Sequence, residues 1–283
     1  MEIKRVGVIG CGQMGGGIAQ VCAQSGYQVI VSEVNAELLN KGLAKIDSVL
    51  TRAVEKERIT PQDKEATLSR LKGTTSMKDF SSCDLVIEAA VENLELKKKI
   101  FAELDSICPK QAILATNTSC LSIIEMAMTT KRPDKVLGLH FFNPPPVMKL
   151  LEVVRTVATS EETLEIGRSF GQSLGKTPVT APDSPGFIVN RLMIPQVLHA
   201  ISMLETGVAT REDIDNGMTL GLNHPIGPLA LADLIGLDTM YFVASAMYDK
   251  FKDPRFAPPV LLEKMVTAGW LGRKTSKGFY NYK

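Results

Sequence analysis

The sequence lacks the features that mark membrane, secreted or nucleic-acid-binding proteins. No run of about 18 apolar residues occurs, so no transmembrane helix is expected, and no secretory signal is recognisable at the start. The formal net charge is only +1, with 32 basic and 31 acidic residues. Because no global charge attracts nucleic acid or an anionic membrane, we expect a soluble, cytoplasmic chain that binds neither.

Signals for metal sites and disulfides are also sparse. The five cysteines are an odd number without a Cys-x-x-Cys pair, and only three histidines are present. Structural zinc sites take four such ligands at short spacings, so we expect no metal. In a chain without a secretory signal, the cysteines are expected to be reduced thiols.

The sequence does contain an alternation of short apolar runs and helical segments. Its 283 residues, 45% of them hydrophobic, suffice for two domains of roughly 100–200 residues each. Apolar runs occur at 5–9, 28–32, 84–88, 112–116, 136–140 and 150–154. Helices are predicted at 17–25, at 38–58, from Thr60-Pro61 to about Leu71, and at 94–106. This alternation predicts an α/β fold with a doubly wound, mostly parallel Rossmann-type sheet and a helical insertion at about 36–72.

The pattern changes near 181–186, where two prolines and a glycine indicate a turn or linker. Beyond it, Ser184 is predicted to cap a helix that has Pro185 at its first position. An apolar stripe follows at Val189, Leu192, Val197, Ile201 and Leu204. We therefore predict a dinucleotide-binding domain at 1–184 and a smaller all-helical domain at 185–283. The long apolar helix favours a homodimer formed through the second domain.

A glycine loop follows the first apolar run and opens a helix. It reads Gly10-Cys11-Gly12-Gln13-Met14-Gly15, the G-x-G-x-x-G pattern of dinucleotide sites. The first glycine permits a tight turn, the second lets the backbone approach a pyrophosphate, and the third permits close helix packing. The helix N-terminus offers unpaired N–H groups to phosphates. The alternative is a glycine turn without a ligand.

Glu33 follows the second apolar run, 18 residues after Gly15. A carboxylate there accepts hydrogen bonds from ribose hydroxyls and repels a 2′-phosphate. No lysine or arginine lies between Ser32 and Asn40 to receive such a phosphate. The segment predicts NAD rather than NADP, with a solvated strand-end carboxylate as the alternative.

His140 ends one apolar run and Glu152 lies within the next. A carboxylate inside a strand is costly unless it is paired, and His140 on a neighbouring strand is an available partner. A neutral imidazole takes the hydroxyl proton as hydride leaves an alcohol, and a carboxylate on its other nitrogen fixes the tautomer. Singly, His140 also fits a satisfied core histidine and Glu152 a strand-end salt bridge.

Further polar residues follow strand ends or the linker. Ser119 fits either a helix cap or a donor to the substrate. Asn190, on an otherwise apolar stretch, fits either a ligand contact or an interdomain polar position. Glu88, Glu92 and Lys97 fit either cofactor contacts or a solvated helix start.

Several of these segments together carry a resemblance to a known family. They are the glycine loop, Val86–Glu92, Asn117–Ser119, His140–Pro144, Pro185–Arg191, Gly272–Thr275 and Gly278–Tyr280. Over essentially its whole length the sequence resembles the L-3-hydroxyacyl-CoA dehydrogenases, in particular the bacterial 3-hydroxybutyryl-CoA dehydrogenases. Cys120 departs from the pattern, since a second serine is frequent there.

The resemblance implies hydride exchange between NAD(H) and C3 of a 3-hydroxyacyl or 3-oxoacyl thioester of coenzyme A. It implies that His140 is the acid/base, that Glu152 is its partner, and that Ser119 and Asn190 contact the substrate oxygen. The implied cofactor contacts are the glycine loop, Glu33, Glu92, Lys97, Asn117, Ser119, Asn143 and Lys274.

The resemblance also implies that the segment after the second strand handles coenzyme A. Lys41, Lys45, Arg52 and Lys56 there fall within about 60° of a helix circumference, a basic stripe suited to phosphates. Of these we select Arg52 and Lys56. The alternative is a solvated face with pairs such as Glu37–Lys41.

Two other functions remain open from the sequence. One is a dehydrogenase of the same scaffold acting on a free hydroxy acid or sugar acid. The other is a non-catalytic NAD(H)-binding protein.

Overall fold

The structure is a computed structural model and describes residues 2–282. By its internal contacts the chain divides into two compact units, Met1–Ser184 and Pro185–Lys283. The division falls in the segment whose prolines and glycine predict a linker. Within the described residues, no single helix is long and apolar enough to cross a membrane; one pair of helices, Pro228–Ile235 and Leu237–Phe251, reaches that length only across a 98° bend.

The first unit is built around an eight-stranded sheet in the order β3-β2-β1-β4-β5-β6-β7-β8. Its strands are β1 Arg5–Ile9, β2 Gln28–Ser32, β3 Leu71–Thr74, β4 Leu85–Glu88, β5 Ile113–Thr116, β6 Val136–Phe141, β7 Leu150–Arg155 and β8 Thr177–Pro182. Its α-helices are α1 Gln13–Gln24, α2 Ala36–Glu55, α3 Pro61–Ser69, α4 Leu94–Ile107, α5 Ile123–Ala127 and α6 Glu161–Ser173.

Strand direction and order place the ligand site. β3, β2, β1, β4, β5 and β6 are mutually parallel, whereas β7 pairs with β6 in the antiparallel sense. The chain winds outward from β1 on one side through β2 and β3, and on the other through β4, β5 and β6. Ligands bind such sheets outside the carboxyl ends of the strands, at the point where the winding reverses. The predicted doubly wound, mostly parallel sheet is confirmed.

The central strands are apolar runs because they are covered on both faces. Every residue of β4, β5 and β6 is buried, including the polar side chains at their ends. β1 and β2 have the predicted bounds, and all but their first residues are buried. The core that α1 and α2 share with these strands includes Val8, Ile18, Val31, Ile46 and Ile87.

The two strands that the sequence did not predict are the two edges of the sheet. β3 begins at the end of the predicted helical insertion of 36–72, which is therefore corrected to two helices followed by a strand that pairs with β2. β8 pairs with β7. β3 alternates in burial and includes Lys72 and Gly73, whereas β8 contains two prolines. Such residues are tolerated at edges but weaken the strand signal.

Local capping explains where the first helices begin. α1 starts at Gln13, directly after the glycine loop and earlier than the predicted Gly17. Asn35 caps α2 by accepting from the Leu38 N–H. Thr60 forms a capping box with Asp63 ahead of α3, as its position before Pro61 predicts, but α3 ends at Ser69 rather than Leu71.

The second unit is helical, as predicted. Its α-helices are α7 Val189–Glu205, α8 Arg211–Leu222, α9 Pro228–Ile235, α10 Leu237–Phe251 and α11 Val260–Thr267. Thr210 caps α8, accepting from the Asp213 N–H. Their shared core includes Ile194, Val197, Ile201, Leu229, Met240 and Leu262.

The predicted start of the first helix in this unit is wrong. α7 begins at Val189, not at Pro185, because Gly186 and Phe187 have φ values of 77° and 44° that a right-handed helix excludes. Ser184 is therefore not its cap. Within the predicted apolar stripe, Leu192 is 72% exposed.

Candidate active site

The glycine loop has the geometry that a bound pyrophosphate requires. Gly10 has φ +92°, and a Cβ there would lie 2.7 Å from the Ala89 oxygen. A Cβ on Gly15 would lie 2.0 Å from the Gly10 oxygen, whereas Gly12 faces open space with no atom within 4 Å of its Cβ position. No side chain caps α1 and no acidic residue lies in its first turn. This open cradle at a helix N-terminus fits a dinucleotide.

Glu33 is partly buried and hydrogen-bonded to the same loop. Its Oε1 accepts the Cys11 N–H at 2.9 Å, and its Oε2 accepts the Val34 N–H at 3.0 Å. An ionised carboxylate has about four acceptor positions, so capacity for ribose hydroxyls remains. Burial, together with the Glu33 charge, raises the pKa of the Cys11 thiol to about 11. Cys11 is therefore a neutral thiol beside the loop at pH 7.

His140 and Glu152 stand directly opposite each other on β6 and β7. Opposed residues of an antiparallel pair share a face of the sheet, which explains why a spacing of twelve brings them together. His140 Nδ1 lies 2.6 Å from Glu152 Oε2, and Glu152 is 0% exposed. The contact that the sequence predicted is present, and it orients the imidazole through its Nδ1 atom.

A buried ion pair closes the carboxyl end of β4. Glu88 is 0% and Lys97 1% exposed, and the Lys97 Nζ donates to Glu88 Oε1 at 2.6 Å. Glu88 also accepts the Ala90 N–H at 2.7 Å and the Thr116 hydroxyl at 2.7 Å. The alternative of a solvated helix start is wrong here, because the pair is interior and joins β4, β5 and α4.

Glu92 extends this network toward the segment after β5. It accepts the Thr118 hydroxyl at 2.5 Å and the Ser119 N–H at 3.1 Å, and its Oε2 lies 3.4 Å from the Lys97 Nζ. The helix that follows begins at Ile123 with Ser122 at its N-cap position. Ser119 is therefore not a helix cap; its backbone is fixed by Glu92 instead.

The ends of β5 and β6 are joined by a side chain. Asn117 Oδ1 accepts the Phe141 N–H at 2.8 Å. The Phe142 ring lies 4.7 Å, centroid to centroid, from the His140 ring, and Asn143 follows as an exposed residue. The structure thus brings Asn117, His140 and Asn143 to the same end of the sheet as the glycine loop.

The second unit carries two further predicted residues. Asn190 is the second residue of α7 and is partly buried. Lys274 pairs with Asp238 in the first turn of α10. Burial opposes the charge of Asp238, but the Lys274 hydrogen bond outweighs it and holds the pKa of that carboxyl below its usual value. The roles of Asn190 and Lys274 toward substrate and cofactor stay predictions.

The basic stripe lies on the exposed side of α2. Lys41, Lys45 and Arg52 are exposed on the helix, and Lys56 is its C-cap. None of the four forms an ion pair within residues 2–282, and the Glu37–Lys41 pair is not formed. The stripe is thus available for an anionic ligand.

No group of three or more histidine, cysteine or acidic side chains in the described part of the chain is arranged to hold a metal ion. All five cysteines are free and buried. Burial raises the pKa of each of their thiols, so none is prepared as a nucleophile.

Comparison with known proteins decides the family. Residues 5–184 match the model of the 3-hydroxyacyl-CoA dehydrogenase NAD-binding domain, and residues 186–282 match that of the C-terminal domain. The chain belongs to the 3-hydroxyacyl-CoA dehydrogenase family. It is therefore an NAD-dependent oxidoreductase, and the predicted family and cofactor are confirmed.

Individual relatives are similar along their whole lengths. The chain is 46% identical over 281 residues to the 3-hydroxybutyryl-CoA dehydrogenase of Bradyrhizobium diazoefficiens, covering 99% of this chain and 96% of that protein. It is 47% identical over 282 residues to that of Mycobacterium tuberculosis, covering 99% of both. The crystal structure of (S)-3-hydroxybutyryl-CoA dehydrogenase from Ralstonia eutropha superposes with a TM-score of 0.96, 47% identity and full coverage of both chains.

Sequence reasoning missed two features of this 3-hydroxyacyl-CoA dehydrogenase site. It did not recognise that Glu88 and Lys97 are interior, although a carboxylate ending the apolar run of β4 is a signal that a partner is required. It also passed over Lys176, which is 8% exposed and donates to the main-chain oxygens of Pro145 and Met148. This lysine follows a helix, and the sequence gives no local signal of its burial.

Proposed function

We propose that this dehydrogenase exchanges hydride between NAD(H) and C3 of short-chain 3-hydroxyacyl-CoA and 3-oxoacyl-CoA, with 3-hydroxybutyryl-CoA and acetoacetyl-CoA as the preferred pair. The observation that carries the proposal is the buried His140–Glu152 contact of 2.6 Å at the carboxyl end of the sheet. The names of the relatives support the substrate, and the basic stripe on α2 supports the coenzyme A moiety.

The proton step falls to His140. In the oxidation direction the C3 hydroxyl would lose its proton to Nε2 of His140. NAD held at the glycine loop would supply the acceptor for the hydride that leaves C3. Glu152 at Nδ1 sets the tautomer that leaves Nε2 able to take the proton, and it stabilises the imidazolium that forms. In the reduction direction His140 returns the proton to the substrate oxygen.

The other predicted residues orient the reactants. Ser119 and Asn190 would hydrogen-bond to the substrate oxygen, and Asn143 would help to hold the nicotinamide. The fixed backbone position of Ser119 on Glu92 supports this role, because catalysis depends on groups held in place before the reaction. Five predicted residues would help to bind the cofactor, either by direct contact or by positioning residues that contact it: Glu33, Glu92, Lys97, Asn117 and Lys274.

Arg52 and Lys56 bind the phosphates of coenzyme A in this proposal. Their exposure and the absence of ion pairs to them within residues 2–282 support it. Arg52→Ala with Lys56→Ala should raise KM for acetoacetyl-CoA with little change in the affinity for NADH. An unchanged KM would move the coenzyme A site elsewhere, and Lys41→Ala with Lys45→Ala is the matched control on the same stripe.

The decisive experiment compares acetoacetyl-CoA with free acetoacetate as oxidants of NADH, and NADH with NADPH as reductants of acetoacetyl-CoA. We expect reduction of the 3-oxo group of acetoacetyl-CoA, little reduction of free acetoacetate, and preference for NADH. Comparable use of free acetoacetate would favour a hydroxy-acid dehydrogenase. Tight NADH binding without turnover would favour a non-catalytic binding protein, and faster use of NADPH would contradict the role given to Glu33.

We further infer a homodimer formed through the second unit. Apolar side chains there are exposed in the single chain, including Leu192 at 72% and Leu220 at 83%, which is typical of surfaces that meet a partner. Sedimentation at twice the chain mass of 30.8 kDa is expected. A monomer at micromolar concentration would contradict the inference.

A further inference from the structure

Lys176 is a buried cation that the proposed hydride transfer does not use. It lies between α6 and β8 and is 8% exposed. Its Nζ donates to the main-chain oxygen of Pro145 at 2.5 Å and to that of Met148 at 2.7 Å. An ammonium group in an interior is unfavourable unless it is well paired, so a lysine that meets carbonyl oxygens there requires an explanation.

The carbonyls that Lys176 binds belong to the turn at 142–149, which joins β6 to β7. The Val147 and Met148 N–H groups both donate to the Pro144 oxygen at 3.0 Å. Prolines 144, 145 and 146 have no N–H of their own, so this short turn is poor in donors. Lys176 supplies donors to two of its oxygens and thereby fixes the turn from the inside.

The same turn packs against the helix that carries the glycine loop. Pro145 is buried, and a Cβ on Gly17 of α1 would lie 2.8 Å from the Pro145 Cδ atom. Burial lowers the pKa of Lys176. Burial also raises the pKa of the Cys22 thiol on α1, and the Lys176 charge opposes that rise. Lys176, the turn and α1 therefore form one packed group.

We propose that Lys176 is a positioning residue that holds the 142–149 turn against α1, so that Asn143 and His140 keep fixed places relative to NAD bound at the glycine loop. The inference rests on the proposed function, because it concerns the same site. Lys176 acts through Pro145 and Met148 and does not touch the reacting atoms. Since a misplacement of about 1 Å can cost 100-fold in rate, such a brace affects turnover as well as stability.

The test compares Lys176→Met with a matched buried cation elsewhere in the first unit. Arg132 is also 8% exposed, and its guanidinium donates to the main-chain oxygens of Asp105 and Cys108. It differs from Lys176 in that its Nε also pairs with the Asp105 carboxylate at 2.8 Å. It precedes β6, at the opposite end of the strand from His140. Lys149→Met, a change at the exposed lysine that ends the turn, controls for loss of positive charge near the site.

Four quantities are measured for each variant: Tm, the NADH Kd from the fluorescence of bound NADH, and kcat and KM with acetoacetyl-CoA. For Lys176→Met we expect the NADH Kd to rise about 10-fold and kcat to fall about 10- to 100-fold. Arg132→Met should lower Tm at least as much while leaving the NADH Kd within about twofold, and Lys149→Met should change nothing. Lys176→Arg keeps a charged donor and should recover part of the loss.

A Lys176→Met protein that loses stability like Arg132→Met, yet keeps the wild-type NADH Kd and kcat, would overturn the proposal. If Lys176→Met does not fold, Lys176→Gln replaces it with the same expected outcomes. NADH binding is read without an acyl substrate, so wild-type protein that binds NADH but reduces no acyl-CoA contradicts only the proposed function. The NADH Kd values of the wild-type, Lys176→Met and Arg132→Met proteins then still test the positioning role of Lys176.

Discussion

Two buried carboxylates in the first unit have the same burial and opposite uses. Glu88 ends β4 and Glu152 lies within β7, and both are 0% exposed. Each has a nitrogen partner at 2.6 Å, Lys97 Nζ for Glu88 and His140 Nδ1 for Glu152. Neither burial nor distance distinguishes them.

The chemistry of the partner does distinguish them. The Lys97 ammonium is a hydrogen-bond donor to Glu88, and the pair serves to join β4, β5 and α4. Histidine is the side chain that changes charge near neutral pH, so the His140–Glu152 pair is suited to proton exchange. The burial of a carboxylate therefore shows only that it needs a partner. The chemical identity of that partner indicates whether the pair joins elements of the fold or can exchange a proton.

The largest expected effect is on turnover and comes from replacing His140, the partner of Glu152. His140→Gln should lower kcat for acetoacetyl-CoA reduction by about 100- to 10,000-fold, the usual range for a lost acid/base. Stability should change far less, because glutamine still offers a polar group to Glu152. Steady-state kinetics and circular dichroism check both points. Near-normal turnover in a folded variant would remove His140 from the mechanism.

Replacing Lys97, the partner of Glu88, should lower the stability of the fold. Lys97→Met leaves Glu88 charged and buried without its cation, which costs about 3–5 kcal/mol in the free energy of unfolding. Urea denaturation measures the loss. The double variant Lys97→Met, Glu88→Gln carries no unpaired charge and should recover part of it. A double variant as unstable as Lys97→Met would contradict an interaction between the two residues.

Glu152→Gln tests whether the Glu152 carboxylate contributes to the reaction rate through His140. The amide cannot stabilise an imidazolium as a carboxylate does, so we expect kcat to fall at least about 10-fold, but less than in His140→Gln. The NADH Kd should stay within about twofold, since the glycine loop is unchanged. A normal kcat would reduce Glu152 to a structural role like that of Glu88.

The comparison also shows what the sequence could predict. The His140–Glu152 contact follows from two adjacent apolar runs, because opposed residues on antiparallel strands meet. The Glu88–Lys97 contact crosses from a strand through a loop to a helix, and no periodicity relates the two. The sheet behaves likewise: β1 and β2 have their predicted bounds, whereas the edge strands β3 and β8 carry lysine, glycine and proline and were missed.

Two further kinds of residue could not be predicted from the sequence: non-glycine residues with positive φ, and lysines that the fold buries. The predicted helix at Pro185 failed because Phe187 has a φ value that few non-glycine residues adopt, and no local pattern announces it. Lys176 is buried by the turn after β6, thirty residues earlier in the chain. Such contacts depend on the complete packing of the unit and not on the spacing of any one segment.

Thr116→Val is the smallest and sharpest test of the Glu88 network. Thr116 is 0% exposed at the end of β5 and donates its hydroxyl to Glu88 Oε2 at 2.7 Å. Valine has nearly the same shape, so the change removes the donor with little repacking. Glu88 keeps the Lys97 ammonium and the Ala90 N–H, and the free energy of unfolding should fall by about 1.5–3 kcal/mol, the range for a hydrogen bond to a charged group.

The matched control is Thr67→Val on α3, because Thr67 is 3% exposed and donates at 2.7 Å to a neutral acceptor, the Asp63 oxygen. It should cost about 0.5–1.5 kcal/mol. Equal losses in the two variants would mean that the Glu88 charge adds nothing to the bond. A loss for Thr116→Val as large as that for Lys97→Met would mean that the buried Glu88 carboxylate requires every one of its donors. The hydrogen bonds to Glu88 would then be cooperative, and the Lys97 ion pair would not be the dominant interaction.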